Sequence, residues 1–474
     1  MNVHLKFICN NEYVETDINP SVTVLDFLRL QQHLTGTKEG CREGDCGACT
    51  ILVGEMTGNF IRYKSVNSCL LPVSEIHGRH VVSIEGLNVK GMSPFQETLV
   101  NEGGTQCGFC TPGFVVSFAS FLLSTDSFDA ETALSFLGGN LCRCTGHNRI
   151  ISAVEKTLSG FSGGAAASFS ERVGLLINKN FLPAYFADIP ERLKNIQREH
   201  KIFEGAENAV FVSGGTDLFV QQGDSLTEKN VVFLSGVLKG EKIWIEGDEL
   251  FLSAAATVSD LENSEIINRI FPTFKDLSKL FGSLQIRNRA TLGGNINNAS
   301  PIGDMSVFLL SLNAKVFLSN GKTIRSLYLK DYFKDYKTLD RNEDEFTQKF
   351  SVPLPRGGYK LSFEKVSKRT YLDIASVNTS LYIEYDSVIT KAGLSAGGVS
   401  PVPLFLKDSS EFLKGKEISS GTLDGLVEVA LGEIKPISDV RGSAEYKTLL
   451  LGRLLRAHFL KLFPEVIKPE DALC

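Results

Sequence analysis

Apolar and polar residues alternate along residues 3–8, pause at Asn10-Asn11 and alternate again toward Ile18, a pattern that predicts a β-hairpin. Over residues 24–34 the apolar positions shift to helical spacing behind Ser21 or Thr23 as N-cap. Strand-like runs return at residues 50–53 and 81–86, closing a small unit of sheet and helix over residues 1–86. Helical spacing then dominates, most clearly over residues 112–123 and 131–137, so residues 87–160 are expected to form a helical domain.

Residues 159–170 read Ser-Gly-Phe-Ser-Gly-Gly-Ala-Ala-Ala-Ser-Phe-Ser, the plainest linker composition in the chain, and a linker is expected at 161–170. Beyond it, residues 171–350 mix strand-like runs (209–212, 243–245) with a helical pattern over 266–281. Residues 351–474 carry strands near 361–366 and 375–385 and a helical tail from Glu445. The expected class is α+β and multidomain. No internal repeat interrupts this order.

With 474 residues, 43% of them hydrophobic and 22% charged, the chain can bury several cores, and wholesale disorder is excluded. A formal charge of −6 gives no support to nucleic acid as a partner. No apolar run reaches the roughly 18 residues a membrane span needs; residues 114–123 are too short, and 449–463 are interrupted by Arg453, Arg456 and Lys461. Residues 1–10 lack the features of a signal peptide, so the expected location is cytoplasmic, where clustered thiols more often hold metal than pair as disulfides.

Eight of the ten cysteines fall in two sets. Cys41, Cys46, Cys49 and Cys69 give C-x4-C-x2-C and a distant fourth, the spacing of a plant-type [2Fe–2S] ferredoxin. Small residues around them, Gly40, Gly44, Gly47 and Ala48, let backbone N–H groups approach sulfur. Cys107-Gly108-Phe109-Cys110 and Cys142-Arg143-Cys144 supply four more sulfurs, for which a four-cysteine zinc site is the main alternative to a second [2Fe–2S] cluster. Cys9 is expected to be a buried apolar thiol and Cys474 an incidental terminal one.

Two glycine sites suggest phosphate binding. Phe211, Val212, Ser213, Gly214, Gly215, Thr216, Asp217 and Leu218 run from a strand through paired glycines toward a helix, and Thr291, Leu292, Gly293, Gly294 and Asn295 form a second turn of this kind. Neither is a G-x-G-x-x-G dinucleotide fingerprint. Gly321-Lys322-Thr323 imitates the end of a P-loop, but Val316 stands where that loop needs glycine, and Asn320-Gly321 is read as a hairpin turn. His147 is read as a surface or core histidine.

Together, Cys41-Arg42-Glu43-Gly44-Asp45-Cys46-Gly47-Ala48-Cys49, Gln106-Cys107-Gly108-Phe109-Cys110-Thr111-Pro112-Gly113, Gly139-Asn140-Leu141-Cys142-Arg143-Cys144-Thr145-Gly146 and the glycine sites resemble the xanthine dehydrogenase family of molybdenum hydroxylases over essentially the whole chain. The resemblance implies a ferredoxin-like β-grasp domain, a helical [2Fe–2S]-binding domain, a two-subdomain FAD-binding domain and an α+β C-terminal domain, as in the small subunit of a bacterial xanthine dehydrogenase. It implies two [2Fe–2S] clusters on the eight named cysteines, and FAD held by residues 211–218 and 291–295 with Phe281, Asp304 and Lys365. Phe281 would lie by the flavin ring and Gln106 would face the pterin of a molybdopterin-binding large subunit, in a dimer of heterodimers. Thr347 departs from the family, which has an aliphatic residue there.

The implied activity is electron transfer. Purine hydroxylation at the partner's molybdenum releases an electron pair, while a [2Fe–2S] cluster carries one electron at a time, so two clusters and a flavin make a relay ending at NAD. The same wiring would serve an aldehyde or other N-heterocycle hydroxylase. A stand-alone iron–sulfur flavin reductase is a third possibility, against which stand Gln106 and the second cysteine set.

Overall fold

The computed structural model describes residues 2–160, 168–196, 209–369 and 371–472, and divides into two compact units. The first comprises the chain to residue 201 with residues 218–231 and 283–289; the second comprises 202–217, 232–282 and 290–474.

In the first unit, strands Val3–Cys9 and Glu12–Ile18 form the expected antiparallel hairpin, turning at Asn10, whose φ is 54°. A five-stranded sheet is completed in the order Glu12–Ile18, Val3–Cys9, His80–Val82, Thr50–Thr57, Phe60–Asn67, with only Val3–Cys9 and His80–Val82 parallel. The helical turn Val24–Asp26, capped by the Thr23 hydroxyl, widens into Phe27–Gln31 and lays Phe27 edge-on against Phe7 of the sheet, 5.6 Å between ring centres. That contact seals the core beneath the first cysteine loop, built also from Leu5, Val24, Leu28 and Ile51.

Helices Pro94–Asn101, Thr111–Ser124, Ala130–Leu137 and Asn148–Ser159 follow. Ser93 and Gln96 cap the first reciprocally, and Pro94 fits its first turn. Thr111–Ser124 is buried from Gly113 through Leu123 because sheet and helices enclose it, which is why its sequence is apolar on every face.

The expected linker is only partly within the described residues: 161–167 lie outside them, and Ser168 caps a helix, Phe169–Asn178. This helix, the turn Ala184–Ala187 and the helix Ile189–Lys194 bury Val173, Leu176, Phe186, Ile189 and Leu193 in the same core as Phe118 and Phe121. Residues that the composition assigned to the start of a FAD-binding domain at 171 therefore belong to the first unit. The Gly/Ala/Ser run drew attention away from the helical spacing of Phe169, Val173 and Leu176.

The second unit contains an antiparallel five-stranded sheet ordered Ile324–Tyr328, Lys315–Ser319, Phe346–Pro353, Glu249–Ser253, Ile243–Glu246. The hairpin at Asn320-Gly321 is present; Gly321 takes a φ of 87° and the Asn320 side chain accepts from the N–H groups of Lys322 and Thr323. The helix read over 266–281 is two, Glu265–Ile270 and Phe274–Lys279, because Pro272 between them has no N–H to continue the ladder. A second sheet, Tyr359–Val366, Val377–Tyr385, Ile389–Gly397 and Leu404–Phe405, carries helix Asp304–Ser311 on one side and helix Ala444–Leu462 over its first two strands. Among the described residues no helix is long and apolar enough to cross a membrane.

Candidate functional site

The first cysteine loop is shaped by positive φ at Arg42 (57°), Gly44 (82°) and Gly47 (67°), which turns its backbone around the sulfurs. A Cβ at Gly40 would come within 2.7 Å of Cys46 Sγ, so glycine is required there. The sulfurs lie in pairs: Cys49 Sγ is 3.3 Å from Cys69 Sγ, and the Cys41 and Cys46 side chains interact with one another. The Cys46 side chain, together with backbone N–H groups of Glu43, Cys46 and Asp45, holds the Cys41 thiol down at about 4, while the Cys41 contact and burial push Cys46 up.

The second set repeats this pairing. Cys144 Sγ lies 3.5 Å from Cys107 Sγ, and Cys110 pairs with Cys142. Burial followed by the Cys142 contact pushes Cys110 up to about 12. Burial alone would raise Cys142, but the Thr145 hydroxyl, donating at 3.1 Å, and the Thr145 N–H bring it below the ordinary thiol value. His147 is neither free surface nor core: its Nε2 accepts from Cys142 N–H at 3.1 Å. Among the described residues no three sulfur, imidazole or carboxylate groups converge to grip a single ion. Two-by-two pairing suits two irons per set.

One backbone hydrogen bond joins the loops, Leu141 N–H to Cys46 O at 3.0 Å. At the outer end Gln106, Cys107 and Cys144 are exposed, beside Phe109 (45% exposed) and Leu141 (42%).

In the second unit the two glycine sites meet at Thr291. Its hydroxyl accepts from Gly214 N–H at 3.3 Å and Gly294 N–H at 3.1 Å, and donates to Ser213 Oγ at 2.9 Å, while capping helix Leu292–Asn297. Gly215 has a φ of 78°. A Cβ at Gly293 would stand 2.7 Å from that of Ala254, so glycine lets this turn close on the sheet. Among the described residues Asn295 Oδ1 and Ser306 Oγ are buried without a hydrogen-bond partner, orphaned polar atoms beside this turn that suit a bound polar group.

Lys365 Nζ, with 3% of its side chain exposed, donates to Asp304 Oδ2 and to Leu280 O, each at 2.8 Å, next to half-buried Phe281. Asn378 donates to the other Asp304 oxygen at 2.6 Å; this residue was missed because it looks like an ordinary strand position.

Within the two glycine sites Phe211 lies tilted against Phe346 (5.5 Å between ring centres), Val212 and Leu292 are buried, Thr216 and Asp217 sit in a turn, and Leu218 opens a short helix. Thr347 is buried and hydrogen-bonded with Asn297, which also accepts from the Tyr332 hydroxyl, so its departure from an aliphatic residue is met by a polar partner.

Family models match in sequence order: a 2Fe-2S iron–sulfur cluster binding domain over residues 7–74, a [2Fe-2S] binding domain over 83–155, the FAD binding domain in molybdopterin dehydrogenase over 190–355 and the CO dehydrogenase flavoprotein C-terminal domain over 362–462. Xanthine dehydrogenase of Emericella nidulans is 27% identical over 99% of this chain and 39% of its own length; human aldehyde oxidase is 26% identical over 98% and 40%. The chain thus spans about two fifths of the length of the curated relatives it matches. A reconstituted CO dehydrogenase from Oligotropha carboxidovorans superimposes with a TM-score of 0.50 at 26% identity, covering 53% of this chain and 88% of the other.

Two iron–sulfur modules ahead of a flavin module define an oxidoreductase chain built for electron transfer. More specifically, the four matched domains and the relatives together support the iron–sulfur and FAD portion of the molybdenum hydroxylase family.

Proposed function

We propose that this chain is the electron-transfer part of a cytoplasmic xanthine dehydrogenase working with a molybdopterin-bearing partner. The observation that carries the reading is the arrangement of eight cysteines as four sulfur pairs in two sets, joined through the Leu141–Cys46 backbone hydrogen bond. Cys41, Cys46, Cys49 and Cys69 would hold one [2Fe–2S] cluster, and Cys107, Cys110, Cys142 and Cys144 the other. Residues 211–218, Thr291–Asn295, Phe281, Asp304 and Lys365 would hold FAD. When bound, the clusters supply one-electron carriers and the flavin gathers electron pairs for NAD.

The residues of this chain do the rest. Pairing and backbone N–H groups stabilise thiolates, Thr291 fixes both glycine turns, and the buried Lys365–Asp304 pair presents charge beside Phe281. Exposed Gln106, Phe109 and Leu141 at the second set suit a partner's face better than a stand-alone reductase, whose outer cluster would need no apolar rim.

Similar identity to xanthine dehydrogenases and aldehyde oxidases makes substrate the point to test. The chain, purified with whatever accompanies it, is assayed for iron, flavin and molybdenum and for xanthine-dependent NADH formation. Turnover of aldehydes but not purines transfers the reading to an aldehyde hydroxylase. Iron and flavin without a molybdenum-bearing companion favour the reductase.

A further inference from the structure

Residues 283–289 lie in sequence between Phe281 and Thr291 yet belong to the first unit. Their helical turn, Leu284–Arg287, is capped by the Ser283 hydroxyl. Ile286 packs where a Cβ on Gly44 of the first cysteine loop would fall, 2.6 Å from its Cδ1; Asn288 donates to Ser65 O at 2.9 Å, and Arg289 pairs with buried Glu75 at 3.0 Å.

Gln285 is fully buried. Its Nε2 donates to Ser117 Oγ at 3.1 Å and to Asn140 Oδ1 at 3.3 Å; Ser117 also donates to Asn140 Oδ1, at 2.7 Å. Asn140 Nδ2 in turn donates to Gly47 O at 2.9 Å. One amide therefore reaches, through a single asparagine, a loop position two residues before Cys142 and one beside Cys46. Glycines make the approach possible: a Cβ on Gly139 would lie 2.0 Å from Gln285 Oε1, one on Gly47 2.3 Å from Gly139 O, and one on Gly113 2.4 Å from Gly47 O.

The amide is costly where it stands. Among the described residues Gln285 Oε1 is buried with no hydrogen-bond partner, a desolvation loss that an apolar side chain of the same length would avoid. Its donors, not its contribution to stability, account for it. We infer that Gln285 is a positioning residue that holds the two cysteine loops in register and so sets the spacing of the groups they carry, an inference resting on the two-cluster reading.

Gln285→Met keeps length and apolar packing but removes both donors. Wild-type and variant chains, each purified with its natural companions, are assayed for iron and FAD, then fully photoreduced and compared by electron paramagnetic resonance. Unchanged iron and FAD with an altered magnetic splitting between the two reduced centres is the expected result, together with a fall of roughly tenfold or more in transfer between them, the usual scale for losing an outer-shell partner. Ser117→Ala, which removes one acceptor of the same amide, moves the splitting in the same direction by less and serves where Gln285→Met does not fold. Splitting identical to wild type in the folded variants overturns the positioning role. Fewer than two paramagnetic centres in the wild type overturns the cluster reading instead.

Discussion

Lys365 and Asp304 form an ion pair at 2.8 Å with almost no access to water, and the lysine spends a second hydrogen bond on the carbonyl that precedes Phe281. Removing one member strands the other in a dry site. Lys365→Met is expected to destabilise the second unit by about 3–5 kcal/mol. Lys365→Met combined with Asp304→Leu should recover much of that loss in urea unfolding while leaving the protein poor in FAD. A double variant with full flavin content would remove both residues from the cofactor site.

Thr291 is the only described hydroxyl that accepts from both glycine turns. Thr291→Val is expected to cost about 1–2 kcal/mol through the lost N-cap and to release FAD more readily on dilution, followed by the rise in flavin fluorescence. Thr291→Ser, which keeps the oxygen, should behave as wild type.

Pairing of the sulfurs predicts which losses go together. Cys110→Ser should remove one paramagnetic centre and half of the iron while the signal of the Cys41, Cys46, Cys49, Cys69 set persists, and NADH should still reduce the flavin. Loss of both signals from a folded, flavin-loaded variant would mean that the two sets do not assemble independently.

Among the described residues each unit contains one fully buried histidine held neutral. In the first, the His80 Nε2–H donates to Asn10 O at 2.8 Å and Nδ1 accepts from the Tyr63 hydroxyl at 2.7 Å; burial lowers its pKa to about 3. In the second, His458 bonds Thr379 at 2.8 Å and is likewise lowered by burial to about 3. The unfolded chain takes up these protons first, so the stabilisation is whole above about pH 6.5 and is lost as pH falls toward 3, up to about 5 kcal/mol for each. Urea midpoints should fall across that window. His458→Phe should flatten the acid limb of the second unit only.

Much of this architecture was legible because local chemistry and fold agree. Asn10-Asn11 and Asn320-Gly321 turn where their backbone preferences allow, and both cysteine sets are brought together as spacing required. The strand Phe60–Asn67 was overlooked although Ile61 and Tyr63 alternate with exposed Phe60 and Arg62, because the charges hid the period. Pro272 divided a helix whose apolar spacing runs across it. Gln285, between Leu284 and Ile286, and Asn378, at the head of Asn378-Thr379-Ser380, left no trace in pattern or motif: a single polar residue looks exposed until residues far away in sequence enclose it.

The seven residues 283–289 also bear on how such a chain can be taken apart. Excising the flavin module at the limits of its sequence match would carry off Gln285, Ile286 and Arg289 and leave behind the pockets that received them. Both pieces would then present freshly bared apolar and charged surface to solvent and tend to clump. Exchange of flavin modules between relatives should succeed only when Ser117, Asn140 and Gly47 travel with the incoming segment, so that shuffling in this lineage is constrained by a stitch rather than by a hinge.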